Sequence, residues 1–328
     1  FCWVKIPKYK NAGLKKYITN IVFTFKLFFL STKMLSSPSV ILVSSMPIFP
    51  IINGYLFKRK YKAKKLIFEI RDLWPLTPIY LKGLSKIHPS IMIISWLEKF
   101  AYKKADKIVS LLPNAEDYIT KISKDKSKFV YIPNGIDEKL IGKESIPIKI
   151  MNQIPQNKFI VGYAGTIGLA NAMEYFIEAS ILCKNNNIHY LIVGDGPLKN
   201  MYKQRVELKS NITFINKIKK SQVQSMLKCF DICFVGRYNS PLYKHGVSYN
   251  KYFDYMLAKK PILESSEYIK SQVELSECGI IVKPECPISI NKGVNQLYNL
   301  SKTDLKFMGE KGYNFVKKYH NFNYLSSL

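Results

Sequence analysis

Residues 245–263 combine the features of a helix that receives a phosphate at its amino end. Ser248 is a favourable N-cap residue, apolar side chains follow it, and Pro261 ends the helical pattern. Unpaired N–H groups in a first helical turn attract anions, and Gly246 allows a ligand to approach the backbone closely. The segment therefore predicts a phosphate-binding helix.

Asn250 and Asp254 are four residues apart, so a helix places them one turn apart on one face. A carboxylate there would repel a phosphate, but it can accept hydrogen bonds from both hydroxyls of a ribose. We therefore predict that Asp254 binds the ribose of a nucleotide, with Asn250 on the same face.

Bulk composition indicates a two-domain globular protein. The chain has 328 residues, which favours about two domains of roughly 150 residues, and 47% of them are hydrophobic. It begins with Phe1 and lacks the pattern of a signal peptide, so we expect its true start to be missing.

The chain is strongly basic, with a formal net charge of +27. Residues 1–150 contain 27 Lys and Arg against 10 acids, and residues 151–328 contain 23 against 13. Such a charge attracts nucleic acid, anionic lipid or phosphorylated ligands, and composition alone does not choose among them.

The cysteines and histidines show no metal-ligand spacing. No Cys-x-x-Cys pair occurs among the six cysteines, and the four histidines are scattered. Cys229 and Cys233 are four residues apart, but their surroundings resemble a helix end entering a strand. We expect free thiols.

Residues 17–30 form the most apolar run near the start, but Asn20 and Lys26 interrupt it and it is shorter than the roughly 20 residues that span a bilayer. We favour a core-packed helix, because the apolar strand 40–43 follows at once. A helix lying in a membrane surface is the alternative, since Lys15, Lys16, Lys26 and Lys33 accompany the run.

A basic cluster at residues 58–65 contains few nearby acids. It is consistent with a solvated face or with a surface for lipid phosphates. The strand 66–70 then ends in Arg71 and Asp72, followed by Trp74 and Pro75. Open α/β sheets bind ligands at the carboxyl ends of their strands, so this pair is a predicted site.

The second half of the chain repeats the strand–turn–helix alternation of an α/β fold. Strand 159–163 leads into Gly165 and Thr166 and then into helix 171–184, an arrangement that lets backbone amides meet a phosphate. Gly194 and Asp195 lie in the turn after the next strand. The cations available to a diphosphate are Lys199, Lys217, Arg237, Lys244 and Lys251.

Three of these segments resemble the retaining glycosyltransferase family 4, of GT-B architecture. They are the segment 246–256, the turn 194–197 and residues 71–75, and the likeness favours bacterial transferases that build O-antigen and colanic-acid-like polysaccharides. In its ribose-binding signature Asp254 matches the second acid, and Gly246 stands where the family has its first acid. The family uses its first acid near the donor sugar. That acid is absent here, so the contact is not carried over to this chain.

The resemblance implies an α/β chain of two Rossmann-like domains facing a cleft. Residues 1–145 would be an acceptor domain lacking its opening part, 146–157 a linker and 158–303 a nucleotide-sugar domain. Residues 304–328 would form a helix that returns to the first domain.

The resemblance also implies roles for individual residues. Thr166 and Ala170–Asn171 replace the family's Arg and Lys at the diphosphate, so another cation is needed, and we predict Lys251. Arg71 and Asp72 would act on the acceptor side. Metal independence is expected, because no Asp-x-Asp pair follows a strand to hold a cation on the diphosphate.

We accordingly expect transfer of a hexosamine or deoxyhexosamine from a UDP-sugar to a polyprenyl-diphosphate-linked saccharide, without a cofactor. The enzyme would lie on the anionic inner face of the cell membrane, in the cytoplasm, and would not bind nucleic acid. The alternatives are a sugar-nucleotide 2-epimerase of the same fold and a non-catalytic basic module that binds nucleic acid or membrane.

Overall fold

The computed structural model describes residues 3–7, 14–30, 37–45, 47–142, 144–267 and 270–328. Cys2 and Lys33 lie outside the described residues, and the side chains of Lys15 and Lys16 are not described. The chain divides into two compact units. Unit 1 comprises Phe1–Pro133 and Lys244–Ser248, and unit 2 comprises Asn134–Tyr243 and Tyr249–Leu328.

Unit 1 contains a four-stranded parallel sheet in the order β1-β2-β3-β4. Its strands are β1 Val40–Ser44, β2 Lys65–Ile70, β3 Lys107–Ser110 and β4 Phe129–Tyr131. Its helices are α1 Leu14–Phe28, α2 Ile51–Tyr61, α3 Leu76–Lys82, α4 Pro89–Lys104 and α5 Glu116–Ser123. Because the strand order follows the chain and parallel crossovers are right-handed, the crossover helices cover one face.

Local chemistry sets the bounds of these elements. Leu66, Phe68 and Ile70 alternate inward along β2 and are buried. Asp106, just before β3, accepts hydrogen bonds from the Leu66 N–H and the Lys58 ammonium, both at 2.6 Å. One carboxylate thereby fixes the start of β2 and the last turn of α2.

Unit 2 contains a six-stranded parallel sheet in the order β10-β9-β8-β5-β6-β7. Its strands are β5 Phe159–Ala164, β6 Ile188–Val193, β7 Ile212–Ile215, β8 Ile232–Gly236, β9 Ile262–Ser265 and β10 Gly279–Val282. Its helices are α6 Ile148–Met151, α7 Met173–Leu182, α8 Lys199–Arg205, α9 Val223–Lys228, α10 Asn250–Leu257, α11 Gln272–Ser276, α12 Pro287–Tyr298, α13 Lys302–Tyr319 and α14 Phe322–Leu325.

The two parallel sheets confirm the predicted pair of Rossmann-like domains. In unit 2 the strand order reverses between β5 and β8, which places a topological switch point at their carboxyl ends. A ligand crevice is expected there.

The contacts divide the chain differently from the predicted domains. Asn134 already belongs to unit 2, because its carbonyl contacts the His320 ring at 3.1 Å and Ile136 pairs with Asn321. The boundary thus precedes residue 145, and residues 146–157, which include α6, are part of unit 2. Residues 304–328 also belong to unit 2, and the return of this helix to the first domain stays a prediction.

Two helices of unit 1 have notable surroundings. The N-cap of α5 is Ala115, and the side-chain amide of Asn114 donates to the Lys244 carbonyl. Helix α1 forms as predicted, but it buries Thr19 and Thr24 and exposes Ile21 and Phe25, which a core-packed helix would not do. Among the described residues, none of the helices has the length and apolar character required to cross a membrane.

Candidate functional site

A cavity of about 660 Å³ opens in unit 2 at the carboxyl ends of β5, β6 and β7. This volume lies within the range of small-molecule sites. The cavity is lined by Ala164, Gly165, Thr166, Val193, Gly194, Asp195, Gly196, Lys217, Ile218, Lys220, Val223 and Asp254.

Two glycine-containing loops form one wall of the cavity by packing backbone against backbone. A Cβ at position 194 would lie 1.9 Å from the Gly165 carbonyl oxygen, and one at position 196 would lie 2.2 Å from that of Ile167. The Ile167 N–H also donates to the Asp195 carbonyl at 2.9 Å. Glycine is therefore required at 194 and 196 for the loops to meet and to present their backbone to a ligand.

Asp254 reaches the cavity from α10. Desolvation raises the pKa of its half-buried carboxyl, and the Lys220 ammonium acts in the opposite direction. The α10 backbone is held at this point, because the Gln224 side-chain amide donates to the Asp254 carbonyl at 3.0 Å. A hydrogen-bond acceptor is thus fixed on the cavity wall.

The start of α10 lies later than predicted. Its N-cap is Tyr249 and makes no side-chain capping bond, whereas we predicted Ser248. Ser248 and Gly246 are in the short segment that packs with unit 1, and Gly246 has a φ of +90°, which favours glycine. Asn250 opens the helix as an exposed residue.

Lys251 lies beside the loop that follows β5. Its ammonium donates to the Asn171 side-chain oxygen and lies 3.4 Å from the Tyr163 hydroxyl. The Asn171 amide in turn donates to the Thr166 carbonyl at 3.0 Å, and Thr166 lines the cavity. Burial, and secondly the Arg237 guanidinium, lowers the pKa of Lys251 to about 7.

This position bears on the cation that the resemblance leads us to expect at the diphosphate. Lys251 comes from a different helix, yet its amine contacts Asn171, the residue that stands where the resemblance places a lysine. The amine thus lies next to the cavity loop, and its role there stays a prediction.

Arg237 lies beneath α10, away from the cavity lining. It is 1% exposed, forms an ion pair with the buried Glu264 and donates to the Tyr252 hydroxyl at 2.9 Å. Ser266 donates to the same carboxylate at 2.6 Å. A buried pair supported in this way positions the helix that carries Asp254 and Lys251.

The other predicted cations divide between structural and cavity positions. Lys199 is buried, and its ammonium donates to the Gly194 carbonyl at 2.8 Å and to the Asn216 side chain at 2.7 Å, so it joins the loops after β6 and β7. Lys217 is exposed and lines the cavity. Lys244 belongs to the segment packed with unit 1.

Lys220 is a cavity cation that the sequence did not single out. It lines the cavity with Lys217, while Lys219 between them bonds Glu144 at 3.4 Å. The signal was present in the basic run that follows β7, but the sequence did not indicate which of its lysines face the ligand.

Arg71 and Asp72 follow β2 in unit 1 and are exposed. The Arg71 N–H donates to the Ser45 hydroxyl at 3.0 Å, which ties the ends of β1 and β2 together. Desolvation by the surrounding protein raises the pKa of Asp72, and the Arg71 guanidinium opposes that shift. The pair lies at a strand end, as predicted, and its part in acceptor chemistry stays a prediction.

A second set of side chains that was not predicted from the sequence holds the segment before α10. Both oxygens of the buried Glu98 contact the Tyr118 hydroxyl, at 3.0 and 2.9 Å, and burial raises the pKa of Glu98 to about 8. The Tyr118 ring lies 5.3 Å from the His245 ring, and the Asn114 N–H donates to the His245 carbonyl at 3.1 Å. These contacts fix the chain that leads to Gly246.

Within the described part of the chain, no group of three or more His, Cys, Asp or Glu side chains is arranged to hold a metal ion.

Comparisons with known proteins agree with this architecture. Residues 158–299 match the family model described as Glycosyl transferases group 1. The chain is 22% identical to a probable glycosyltransferase, WbjE, of Pseudomonas aeruginosa over 309 residues, 90% of this chain and 75% of that protein.

Solved structures are similar over almost the whole chain. Sucrose-phosphate synthase from Thermosynechococcus elongatus has a TM-score of 0.72 at 16% identity, covering 95% of this chain and 77% of the other. Anabaena HepE in complex with UDP and glucose has a TM-score of 0.68 at 13% identity, covering 96% and 81%. The fold is therefore GT-B, and the group 1 glycosyltransferase match falls on the unit that contains the cavity.

Proposed function

We propose that the protein is a retaining glycosyltransferase and that the cavity of unit 2 binds the UDP portion of its sugar donor. The observation that carries this proposal is one cavity at the switch-point edge of the sheet that combines Asp254, glycine-lined backbone and two lysines. Support comes from the group 1 family match to this unit and from the structural likeness to HepE in complex with UDP and glucose.

Each group in and beside the cavity has a proposed task. Asp254 accepts hydrogen bonds from the ribose hydroxyls, with Asn250 beside it. Backbone around Gly165 and Gly194 lies against the donor's phosphates. Lys251, with Lys217 and Lys220 at the rim, stabilises the negative charge that grows on the leaving diphosphate. We propose that these amines make a divalent metal unnecessary.

We further propose that the acceptor is a polyprenyl-diphosphate-linked saccharide, reached from the cytoplasmic side of the membrane. The transferred sugar would be an N-acetylated hexosamine or deoxyhexosamine, and the product a surface polysaccharide such as O-antigen or capsule. The basic unit 1 supports an acceptor held at an anionic membrane.

A thermal-shift screen of nucleotides tests the donor proposal. UDP and a UDP-sugar should raise the melting temperature, because a ligand at about 100 times its Kd stabilises the native state by about 2.7 kcal/mol. ADP and GDP at the same concentration serve as controls. Equal stabilisation by all of them, or by none, would contradict a uridine-specific cavity.

The membrane proposal predicts loss of vesicle binding when four exposed lysines at the end of α2 and the start of β2 are neutralised. Each cation near an anionic bilayer contributes about 1 kcal/mol. Changing Lys60, Lys62, Lys64 and Lys65 to Gln should therefore release much of the protein from vesicles containing phosphatidylglycerol, measured by co-sedimentation.

A charge-matched variant controls for the change in net charge. It carries Gln at four exposed lysines of unit 2, namely Lys203, Lys209, Lys302 and Lys306. This variant should stay bound to anionic vesicles. Equal release of both variants, or equal binding of the parent to neutral vesicles, would show that the basic cluster has no specific part.

A further inference from the structure

Helix α1 buries polar side chains and exposes apolar ones, which is the reverse of the usual pattern in a globular protein. Its most buried side chains are Thr19 and Thr24, which are 2% and 8% exposed. Its exposed side chains Ile21, Phe25 and Phe28 are 52%, 61% and 46% exposed and recur at helical spacing. A helix of a soluble domain normally buries the apolar face and exposes the polar one.

Polar contacts hold the inner face of α1 in place. The Asn53 side-chain amide of α2 donates to the Thr24 carbonyl at 3.2 Å, and the Thr24 hydroxyl donates to the Asn20 carbonyl at 2.9 Å. The Lys26 ammonium donates to the Lys5 carbonyl at 2.9 Å. The Asn53 bond thus joins α2 to α1 on the side of Thr24, while Ile21, Phe25 and Phe28 stay exposed.

A second set of apolar side chains lies on α2 and α4. The Tyr55 ring of α2 packs on Phe100 of α4 with centroids 5.3 Å apart, and Phe100 stacks on Trp96 at 5.7 Å. Trp96 is 57% exposed, and its neighbours Met92 and Ile93 are exposed as well. We call the exposed side chains of α1, α2 and α4 the outer surface of unit 1.

The charges on this surface are of one sign. Helices α1, α2 and α4 contain a single acid, Glu98, which is buried and whose pKa is raised to about 8. Exposed cations accompany the apolar side chains at Lys26, Arg59, Lys60, Lys99, Lys103 and Lys104. Two copies of the chain packed through this surface would bring like charges together, whereas an anionic lipid surface complements both its charge and its apolar side chains.

We propose that the outer surface of unit 1 inserts into an anionic phospholipid bilayer, with α1 lying in the membrane plane and its Ile21, Phe25 and Phe28 side chains below the headgroups. The proposal goes beyond electrostatic attachment, because part of the binding energy comes from buried apolar side chains. It rests on the proposed function only in placing the enzyme beside a lipid-linked acceptor.

Co-sedimentation with vesicles of phosphatidylcholine and phosphatidylglycerol, at low salt and at about 1 M salt, separates insertion from attraction, because the Debye length falls to about 3 Å at the higher salt. The parent should stay partly bound at high salt. The triple variant Ile21→Ser, Phe25→Ser, Phe28→Ser should lose at least about tenfold in partitioning at both salt concentrations, since three apolar side chains no longer leave water.

A matched control removes at least as much exposed apolar surface from unit 2. It carries Leu208→Ser, Ile288→Ser and Phe307→Ser, at side chains that are 99%, 73% and 63% exposed. This control should bind vesicles like the parent. Circular dichroism checks that both variants are folded.

A conservative variant tests insertion without removing apolar surface. Phe25→Trp adds an indole to the three native tryptophans, and dibrominated lipids should quench the added fluorescence if position 25 lies below the headgroups. The fluorescence that Phe307→Trp adds in unit 2 should remain unquenched, with the parent as the reference for the native tryptophans.

Complete release of the parent at high salt together with an unquenched Trp at position 25 would overturn the proposal. The proposal would also be overturned if the triple variant bound vesicles like the control, or if it bound vesicles normally but changed its oligomeric state in gel filtration. UDP binding by the triple variant separates the proposal of membrane insertion from that of sugar transfer. Insertion can fail while UDP binding and sugar transfer persist, and transfer can fail while insertion persists.

Discussion

Replacing Asp72 by Asn should lower sugar transfer by roughly 10²–10⁴-fold, the range typical of lost acid–base assistance. It should leave UDP affinity intact. Asn keeps the shape of the side chain and removes its charge. The expected defect lies in turnover, since Asp72 belongs to unit 1 and the donor cavity lies in unit 2.

The geometry around Asp72 supports a fixed role. Asp72 lies two residues after the end of β2. Its neighbour Arg71 is held by Ser45 through the backbone, and Leu73 and Pro75 after it are buried. We expect the carboxylate to orient the acceptor hydroxyl and to stabilise positive charge developing on the sugar.

The pH profile gives a second readout for Asp72. Desolvation raises its pKa above the ordinary 3.8, so the active carboxylate form is lost as pH falls through that raised value. The acidic limb of the rate profile should therefore disappear in Asp72→Asn. Asp117→Asn, at an exposed acid on α5, is the control. A folded Asp72→Asn protein with parental turnover would remove Asp72 from the mechanism.

Replacing Lys251 by Met should lower turnover by about 10²–10³-fold, the usual loss when one stabilising donor is removed from a site of developing charge. Ground-state affinity for the donor should fall less, because the diphosphate gains an additional negative charge only as the glycosidic bond breaks. The amine is placed for this task by its contacts with Asn171 and Tyr163.

The lowered pKa of Lys251 predicts proton uptake on donor binding. In the free protein its amine loses its proton as pH rises through about 7. A bound diphosphate favours the cation and raises that pKa again, so UDP binding above pH 7 should take up a proton and weaken as pH rises. Calorimetry in buffers of different ionisation enthalpy measures the uptake, which should vanish in Lys251→Met.

Lys259→Met is the matched control for Lys251, because Lys259 follows the same helix and pairs with Glu310. It should keep parental kinetics. Normal turnover in Lys251→Met would transfer the charge-stabilising role to Lys217 and Lys220, the lysines on the cavity wall.

Most of the fold follows from local sequence chemistry. Short apolar runs predicted the strands at 40–43, 66–70 and 159–163, and each is present in one of the two sheets. The unit boundary was less predictable, because the pairing of Ile136 with Asn321 joins residues far apart in sequence.

The candidate site was predictable where backbone geometry dictates the residue. Gly194 is required where two loops meet, and Asp254 lies one turn inside its helix on the cavity side. Side-chain partners decided the rest. Lys199 and Arg237 are cations near the carboxyl ends of strands. Lys199 donates hydrogen bonds to Gly194 and Asn216, however, and Arg237 pairs with the buried Glu264. A sequence does not reveal which cations the fold already uses.

The same limit applies to the N-cap of α10, for which residue type predicts Ser248 and the structure has Tyr249. The residue type of Ser248 favours capping, but the segment 244–248 packs with unit 1, so α10 begins only after it. Tertiary contacts overrode the local preference.

Calorimetric titration of UDP into the parent and into Asp254→Ala tests the central claim, that the cavity of unit 2 binds a nucleotide through Asp254. The variant should bind UDP about 1–3 kcal/mol more weakly, the usual cost of deleting a charged hydrogen-bonding partner, and should melt as a folded protein. Glu207→Ala, at an exposed acid in the same unit, should bind UDP like the parent. Unchanged UDP affinity in a folded Asp254→Ala protein would contradict the claim.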